Sequence, residues 1–350
     1  MKISSPKYIS EMEPLFGKTL EELKIVAEEL NLPSFAAKQI ADWLYHKKIS
    51  RIDQMSNLSK QARASLKENY IPGLEPYKNV QVSSDGTKKY LFNTTIEKYV
   101  ETAYIPDKDR HTVCVSTQVG CKMGCLFCMT GKQGFQGNLT AGEILNQLRS
   151  IEEWDQITNI VYMGMGEPLD NLEAVLKSLT ILTSDWGFAM SPRRITVSTI
   201  GILPAMKEFL EKSEAHLAVS LHSPFDEERK MLMPIQQVYP LDEVLSEIRS
   251  WNFGRQRRVS FEYIMFKDRN DTDRHVKELV KKLDGIRCRI NLIRFHPIPD
   301  TPLDTSTDKT IIEFKEALNS RGITTTLRAS RGEDIYAACG LLSTKELVKK

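Results

Sequence analysis

The chain has 350 residues, 41% hydrophobic and 27% charged, with 18 Gly and 15 Pro. That is enough for one large core or a main domain with an appendage, and it excludes disordered, collagen-like and repeat architectures. No stretch approaches the roughly 18 consecutive apolar residues of a membrane span, and the opening MKISSPKYISEMEPLF lacks an apolar signal core, so a cytoplasmic protein without membrane association is expected.

In chain order, KTLEELKIVAEEL places Leu20, Leu23, Val26, Ala27 and Leu30 at helical spacing. SFAAKQIADWLYHKK repeats the pattern with Ser34 as the expected N-cap, and a third helix runs from Ser59 to Tyr70 before Pro72 and Gly73 stop it. Net charge is only +2, yet Lys38 to Lys98 holds eleven basic against six acidic residues, among them Lys47, Lys48 and Arg51, interleaved with Trp43, Tyr45, Tyr70 and Tyr77. Basic side chains hold phosphates and aromatic faces stack unpaired bases, so this segment suits RNA; a solvated helical surface is the alternative. GTKKYLFNT and EKYVETAYI read as two strands joined by a short turn. Thereafter strand-like and helix-like segments alternate, from HTVCVST and TAGEILNQLRSI to KTIIEFKEALNSR and TTTLRAS. Six or seven βα units predict a parallel sheet too short to close, an open partial barrel with its function at strand C-termini.

Six cysteines are present: Cys114, Cys121, Cys125, Cys128, Cys288 and Cys339. Their uneven clustering points to a metal site or catalysis rather than a disulfide framework. The loop after HTVCVSTQ, Gly120 to Cys128, is a C-x3-C-x2-C triplet. Three thiolates there can hold three irons of a [4Fe-4S] cluster and leave the fourth iron open to a small molecule. A zinc site needs a fourth protein ligand, and Cys114 points from inside a strand. Met163 to Pro168, MGMGEP, follows the next strand, where glycines let backbone approach a ligand and Glu167 can accept bonds from an ammonium; an ordinary βα turn is the alternative.

With its aromatic residue before the last Cys, the triplet resembles the signature of the radical S-adenosylmethionine (SAM) superfamily. VCVSTQVGCKMGCLFC, MGMGEPLDN, SPRRITVSTIGI, AVSLHSPFDEERKMLMPI, INLIRFHP and RGEDIYAACG narrow the resemblance to the RlmN/Cfr family of RNA adenosine methyltransferases, over nearly the whole chain. The resemblance implies an α/β fold, an open partial (β/α)6-type barrel over 101–345 that ends in a catalytic Cys loop. It also implies a small helical RNA-binding accessory domain over 1–75 and a β-hairpin connection over 76–100. The implied cofactors are one [4Fe-4S] cluster held by Cys121, Cys125 and Cys128, and SAM held by Gly166, Glu167, Ser198, Ser220, Leu221, His222 and His296; the better-known members have Asn at the last position.

The carbons C2 and C8 of adenine have no lone pair to attack a methyl cation, so a radical route is required. The resemblance implies a ping-pong scheme. Cys339 takes a methyl group from one SAM, and a second SAM supplies a deoxyadenosyl radical that removes hydrogen from it. The methylene radical adds to the base, and Cys114 resolves the adduct through a disulfide. Glu101 matches the proton acceptor, with burial expected to raise its pKa; Cys288 has no matching role. Pro168, Phe135 and Arg331-Gly332 look like the C2-methylating RlmN branch, whereas SLHSPFDEER is shared with the C8-methylating Cfr branch. The C2 branch implies as partners 23S rRNA and tRNA, an electron donor such as flavodoxin or ferredoxin, and a monomeric enzyme. The alternatives are Cfr-like C8 methylation and, in another class, a zinc-stabilised RNA-binding protein.

Overall fold

The computed structural model describes residues 12–47, 49–254 and 259–344; Lys48 lies outside the described residues. Helix α1 (Leu20–Glu29) starts at a capping box in which Thr19 Oγ1 accepts the Glu22 N–H at 3.2 Å and the Glu22 carboxylate accepts the Thr19 N–H at 2.7 Å. Helix α2 (Ala36–Ala41) runs directly into a π-helical turn, Asp42–His46. Ser34 does not cap it. Phe35 occupies the N-cap with helical dihedrals, and no side chain accepts a bond there. Helix α3 (Lys60–Asn69) is capped by Ser59, whose hydroxyl accepts the Ala62 N–H at 3.1 Å.

The aromatics of this segment are largely structural, which corrects the expectation of a base-stacking surface. Tyr45 is buried, its hydroxyl bonded to Lys18 O and Gly17 N and its ring packed on Phe16, Trp186 and Phe188. Tyr70 is buried and donates to Glu29 at 3.2 Å. Trp43 stays partly exposed under the Lys47 ammonium, 4.0 Å from its ring, and Lys47 also pairs with Asp42 at 2.6 Å.

The ten-stranded main sheet follows chain order from edge to edge. Strands β1 (Asn79–Val82), β2 (Lys88–Asn93), β3 (Tyr99–Asp107) and β4 (Arg110–Cys114) form an antiparallel meander. Strands β5 (Asn159–Tyr162), β6 (Ile195–Thr199), β7 (His216–Ser220), β8 (Val259–Met265), β9 (Cys288–Arg294) and β10 (Thr324–Leu327) then add one by one, each parallel to the strand before it. The connections are helices α4 (Ala141–Arg149), α5 (Leu172–Thr183), α6 (Leu203–Lys212), α7 (Leu241–Ser250), α8 (Asp273–Lys282) and α9 (Asp308–Asn319). Strands β1 and β10 are edges, so the barrel is open, as the number of βα units predicts.

The parallel strands send alternate residues to opposite faces. Val113, Ile160, Tyr162, Ile195, Val197, Leu217, Val219, Phe261, Tyr263, Ile290 and Leu292 are buried in the core that also takes in the connecting helices. The intervening positions, including Cys114, Asn159, Ser198, Ser220, Glu262 and Asn291, line cavities inside the curve.

The N-terminal helices dock on α4. Asn146 accepts the Glu75 N–H at 3.0 Å and donates to Glu75 O at 2.9 Å, while Arg149 donates to His46 O at 3.2 Å and stacks on Trp154. Gly142 permits this approach, because a Cβ there would sit 2.7 Å from Phe16 O. Gly142→Val is expected to cost about 1–3 kcal/mol by overpacking and to expose the N-terminal segment to limited proteolysis while the barrel stays folded. Wild-type melting and cleavage patterns would show that this contact is not needed.

Candidate active site

The triplet loop leaves β4 and is shaped from both sides. Gly120 takes φ +72° with its Cα face against Gly134 O, where a Cβ would lie at 1.7 Å. A one-turn helix, Met129–Gln133, follows Cys128, and Leu126 N–H donates to Leu232 O at 2.9 Å. Cys121 and Cys125 are buried and Cys128 nearly so. Burial pushes Cys121 up to about 12, and it raises Cys125 and Cys128 as well; Cys121 and Cys125 are also raised by their triplet neighbours, and Cys128 by Cys339. Protein charge offsets little of this, since only Arg229 acts on Cys125 in the opposite sense.

That donor set fits a polynuclear cationic centre, which makes thiolates of buried thiols and spreads them over separate irons. Among the described residues no three His, Cys, Asp or Glu side chains converge on one point as a single zinc ion requires.

Cys114, Cys121, Cys125, Cys128, Gly166, Glu167, Ser198, Ser220, His222, His296 and Cys339 line one cavity of about 210 Å³. Two sequence candidates do not. Leu221 points into the outer apolar core, with its N–H bonded to Glu262 O at 3.0 Å. Glu101 stands behind the wall, buried, with Lys89 Nζ at 3.0 Å and the Ser343 N–H on its other oxygen at 2.9 Å. Burial raises the Glu101 pKa against the pull of Lys89.

Gly166, at φ +99°, lines the cavity with its backbone and also lets Gln118 approach, because a Cβ there would lie 2.6 Å from the Gln118 side chain. Gln118 in turn accepts the Glu167 N–H at 2.9 Å. The Glu167 carboxylate takes the Leu169 N–H at 3.1 Å and the Ile200 N–H at 3.0 Å, joining the loops after β5 and β6, and burial lifts it to about 7. His222 has φ +55°, accepts the Ile264 N–H on Nδ1 at 3.0 Å and packs edge-on against Phe127. Burial drops its pKa to about 3, so the ring is neutral and its proton belongs on Nε2. His296 meets Ser330 Oγ at 3.2 Å through Nε2, and burial lowers its pKa too.

Cys339 is partly buried on the loop after β10. That loop is fastened to the triplet: Met129 N–H donates to Gly340 O at 2.8 Å and Thr130 Oγ1 to Leu342 O at 2.6 Å. Cys114 packs against Ala337 of the same loop, and burial pushes its thiol up to about 12. All six cysteines are free thiols, and Cys288, raised to about 12 by burial, lies away from the cavity.

Three further residues escaped the sequence reading. Arg229, fully buried, donates to Ile200 O at 2.9 Å and Ser220 O at 3.1 Å and so holds the loops after β6 and β7. Glu262 and Arg328 line the inner wall together; Arg328 is held charged by Cys339 first, then by Glu262 and Cys114. The signal for Glu262 was available, as the lone acid at an inward position of VSFEYIMF.

Comparison with known proteins agrees. Residues 115–283 match the Radical SAM superfamily model, and residues 14–71 match the Ribosomal RNA large subunit methyltransferase N-terminal domain. The chain is 56% identical over 334 residues to the "Probable dual-specificity RNA methyltransferase RlmN" of Parabacteroides distasonis, covering 95% of this chain and 97% of that one. It is 42% identical to the "Dual-specificity RNA methyltransferase RlmN" of Syntrophus aciditrophicus, again over 95% and 97%. The crystal structure of a radical SAM methyltransferase from Sphaerobacter thermophilus superposes with a TM-score of 0.87 at 39% identity, covering 94% of this chain and 99% of that one. The chain belongs to the RlmN family of radical SAM RNA methyltransferases.

Proposed function

We propose that the protein methylates C2 of adenosine in the peptidyl-transferase region of 23S rRNA and beside the anticodon of tRNAs. The observation that carries this reading is the convergence of Cys114, Cys339 and the cysteine triplet on one cavity. Cys121, Cys125 and Cys128 would hold a [4Fe-4S] cluster, with SAM beside it against Gly166, Glu167, Ser198, Ser220, His222 and His296; when bound, these supply a methyl group and a hydrogen-abstracting carbon radical.

The protein residues then act in sequence. Cys339 Sγ loses its proton and accepts the methyl group, becoming a thioether. After one hydrogen atom leaves that methyl, the carbon bonds to adenine C2 and RNA is tethered to Cys339; the C2 proton and one electron must leave. Cys114 Sγ, as thiolate, attacks the Cys339 sulfur, so an S–S bond forms, the S–C bond breaks, and the departing carbon takes a proton to become the methyl product. A two-electron thiol reductant returns the disulfide to thiols. Glu101 is assigned the C2 proton. Buried and linked to the carrier loop through Ser343, it is a stronger base than an exposed carboxylate, although reaching the base requires a shift from its Lys89 pairing.

No helix among the described residues is long and apolar enough to cross a membrane. We place the enzyme in the cytoplasm with its RNAs, as a monomer drawing electrons from a donor such as flavodoxin or ferredoxin.

Nucleoside mass spectrometry of rRNA and tRNA from a host lacking this methylation tests the reading. Complementation should restore 2-methyladenosine to both RNAs, and Cys339→Ala should abolish it with the cluster intact; 8-methyladenosine would establish the C8 reaction instead. Cys114→Ala should accumulate RNA covalently bound to protein, visible as a shifted band on a denaturing gel, and its absence would remove Cys114 from the resolving step. Glu101→Gln should still load Cys339 with methyl yet lose roughly 100-fold or more in turnover; near wild-type turnover would mean another group takes the proton.

A further inference from the structure

Below the reaction cavity the barrel opens into a second, larger space of about 570 Å³. Its walls come from the N-terminal halves of the parallel strands: Arg110 and Thr112 of β4, Asn159 of β5, Thr196 of β6, His216 of β7, Ser260 of β8 and Arg289 of β9. The two spaces share Ile105, Met163, Glu262, Arg328, Ala329 and Arg331, so they adjoin across one wall in the middle of the barrel.

Charge is lopsided here. Five arginines, Arg110, Arg193, Arg289, Arg328 and Arg331, face two acids, Asp107 and Glu262. Asp107 is taken by Arg331 at 3.2 Å, and Glu262 accepts from Asn291 at 2.8 Å while its Oε2 has no partner. Neither Arg110 nor Arg289 makes a side-chain hydrogen bond or ion pair among the described residues; burial and then the like charge of Arg328 weigh on Arg110 against the attraction of Asp107. Arginines that outnumber the acids around a polar cavity make an anion site. The reaction cavity alone, at about 210 Å³, is below the roughly 300–1,000 Å³ that enclose a drug-sized ligand, so a nucleotide lying beside SAM must extend elsewhere, and the adjoining space lies here.

We propose that the target nucleotide reaches Cys114 and Cys339 from the N-terminal mouth of the barrel, through this vestibule, with its flanking phosphates held by Arg110, Arg193 and Arg289. The inference rests on the RNA methyltransferase reading above and adds the path and the phosphate contacts. Arg328 and Glu262, at the junction, then meet the base itself, with the free Glu262 oxygen available to an exocyclic amine.

The test is the triple variant Arg110→Gln, Arg193→Gln, Arg289→Gln in the full chain, with a tRNA anticodon stem-loop as the RNA. Methyl loading of Cys339 without RNA, read by intact protein mass, should match wild type and show that the cluster and SAM site are sound. RNA affinity should fall roughly 10- to 100-fold, and the slope of log K against log salt should become shallower by about 2–3, as loss of three phosphate contacts requires. Wild-type affinity and slope with normal turnover would overturn the proposed path and leave the methyltransferase reading standing. A wild-type protein that loads Cys339 yet neither binds nor methylates RNA would overturn both.

Discussion

The structure depends on a parallel sheet that curves without closing. A closed barrel of parallel strands fills its interior with branched apolar layers and is a packed core. Here the interior is never sealed, so the larger apolar core lies on the outer face, where Val197, Leu217, Phe261 and Leu292 meet the connecting helices, and a smaller apolar cluster with Ile264 and Ile293 backs the cysteine triplet. The polar strand residues Ser198, Ser220, Glu262 and Asn291 stand on the inner face. Period-two alternation therefore does two jobs with one pattern, because the residues that stabilise the sheet and those that meet ligands occupy opposite sides of the same strands.

A gradient runs along the inner face. Toward the strand C-termini the wall is dry, with buried thiols whose pKa values rise and a neutral His222. Toward the N-termini it is polar and cationic. Radical and sulfur chemistry need the first environment, where water and stray hydrogen donors are few, and a polyanion needs the second. Glu262 and Arg328 sit where the two meet.

Legibility in the sequence followed the same division. The triplet was readable because its three cysteines are contiguous and their spacing is itself the chemistry, and the βα alternation was readable because each unit repeats a strand and a helix. What could not be read depended on direction or on distant partners. Leu221, between two inward residues, points outward because strand alternation continues into the loop. Tyr45 and Tyr70, basic-flanked in sequence, are core because helix faces, not neighbours in the chain, decide burial. Arg229 looks like one more charge in DEERK until its carbonyl partners on Ile200 and Ser220 are known. The glycine-rich MGMGEP does border the cavity, but that Gly166 also makes room for Gln118 depends on a partner the motif does not show.

The carrier loop shows how such a site combines order with reach. Residues 332, 336 and 340 all adopt positive φ, Tyr336 without the licence of glycine. Asp85 and Asp334 tie the loop to the β1–β2 turn, Asp85 by accepting the Gly332 N–H at 2.9 Å and Asp334 by accepting the Ser84 N–H at 3.1 Å. Beyond Cys339, Gly340 and Leu342 are tied to the triplet's helical turn, and Ser343 to Glu101. Cys339 thus hangs between two anchors, one on the sheet edge that carries the hairpin and one on the loop that carries the thiols. In the proposed reaction this thiol meets a methyl donor, a base and a second thiol in turn, which calls for both: fixed ends to keep its three partners within one cavity, and a short strained span between them through which the sulfur can turn.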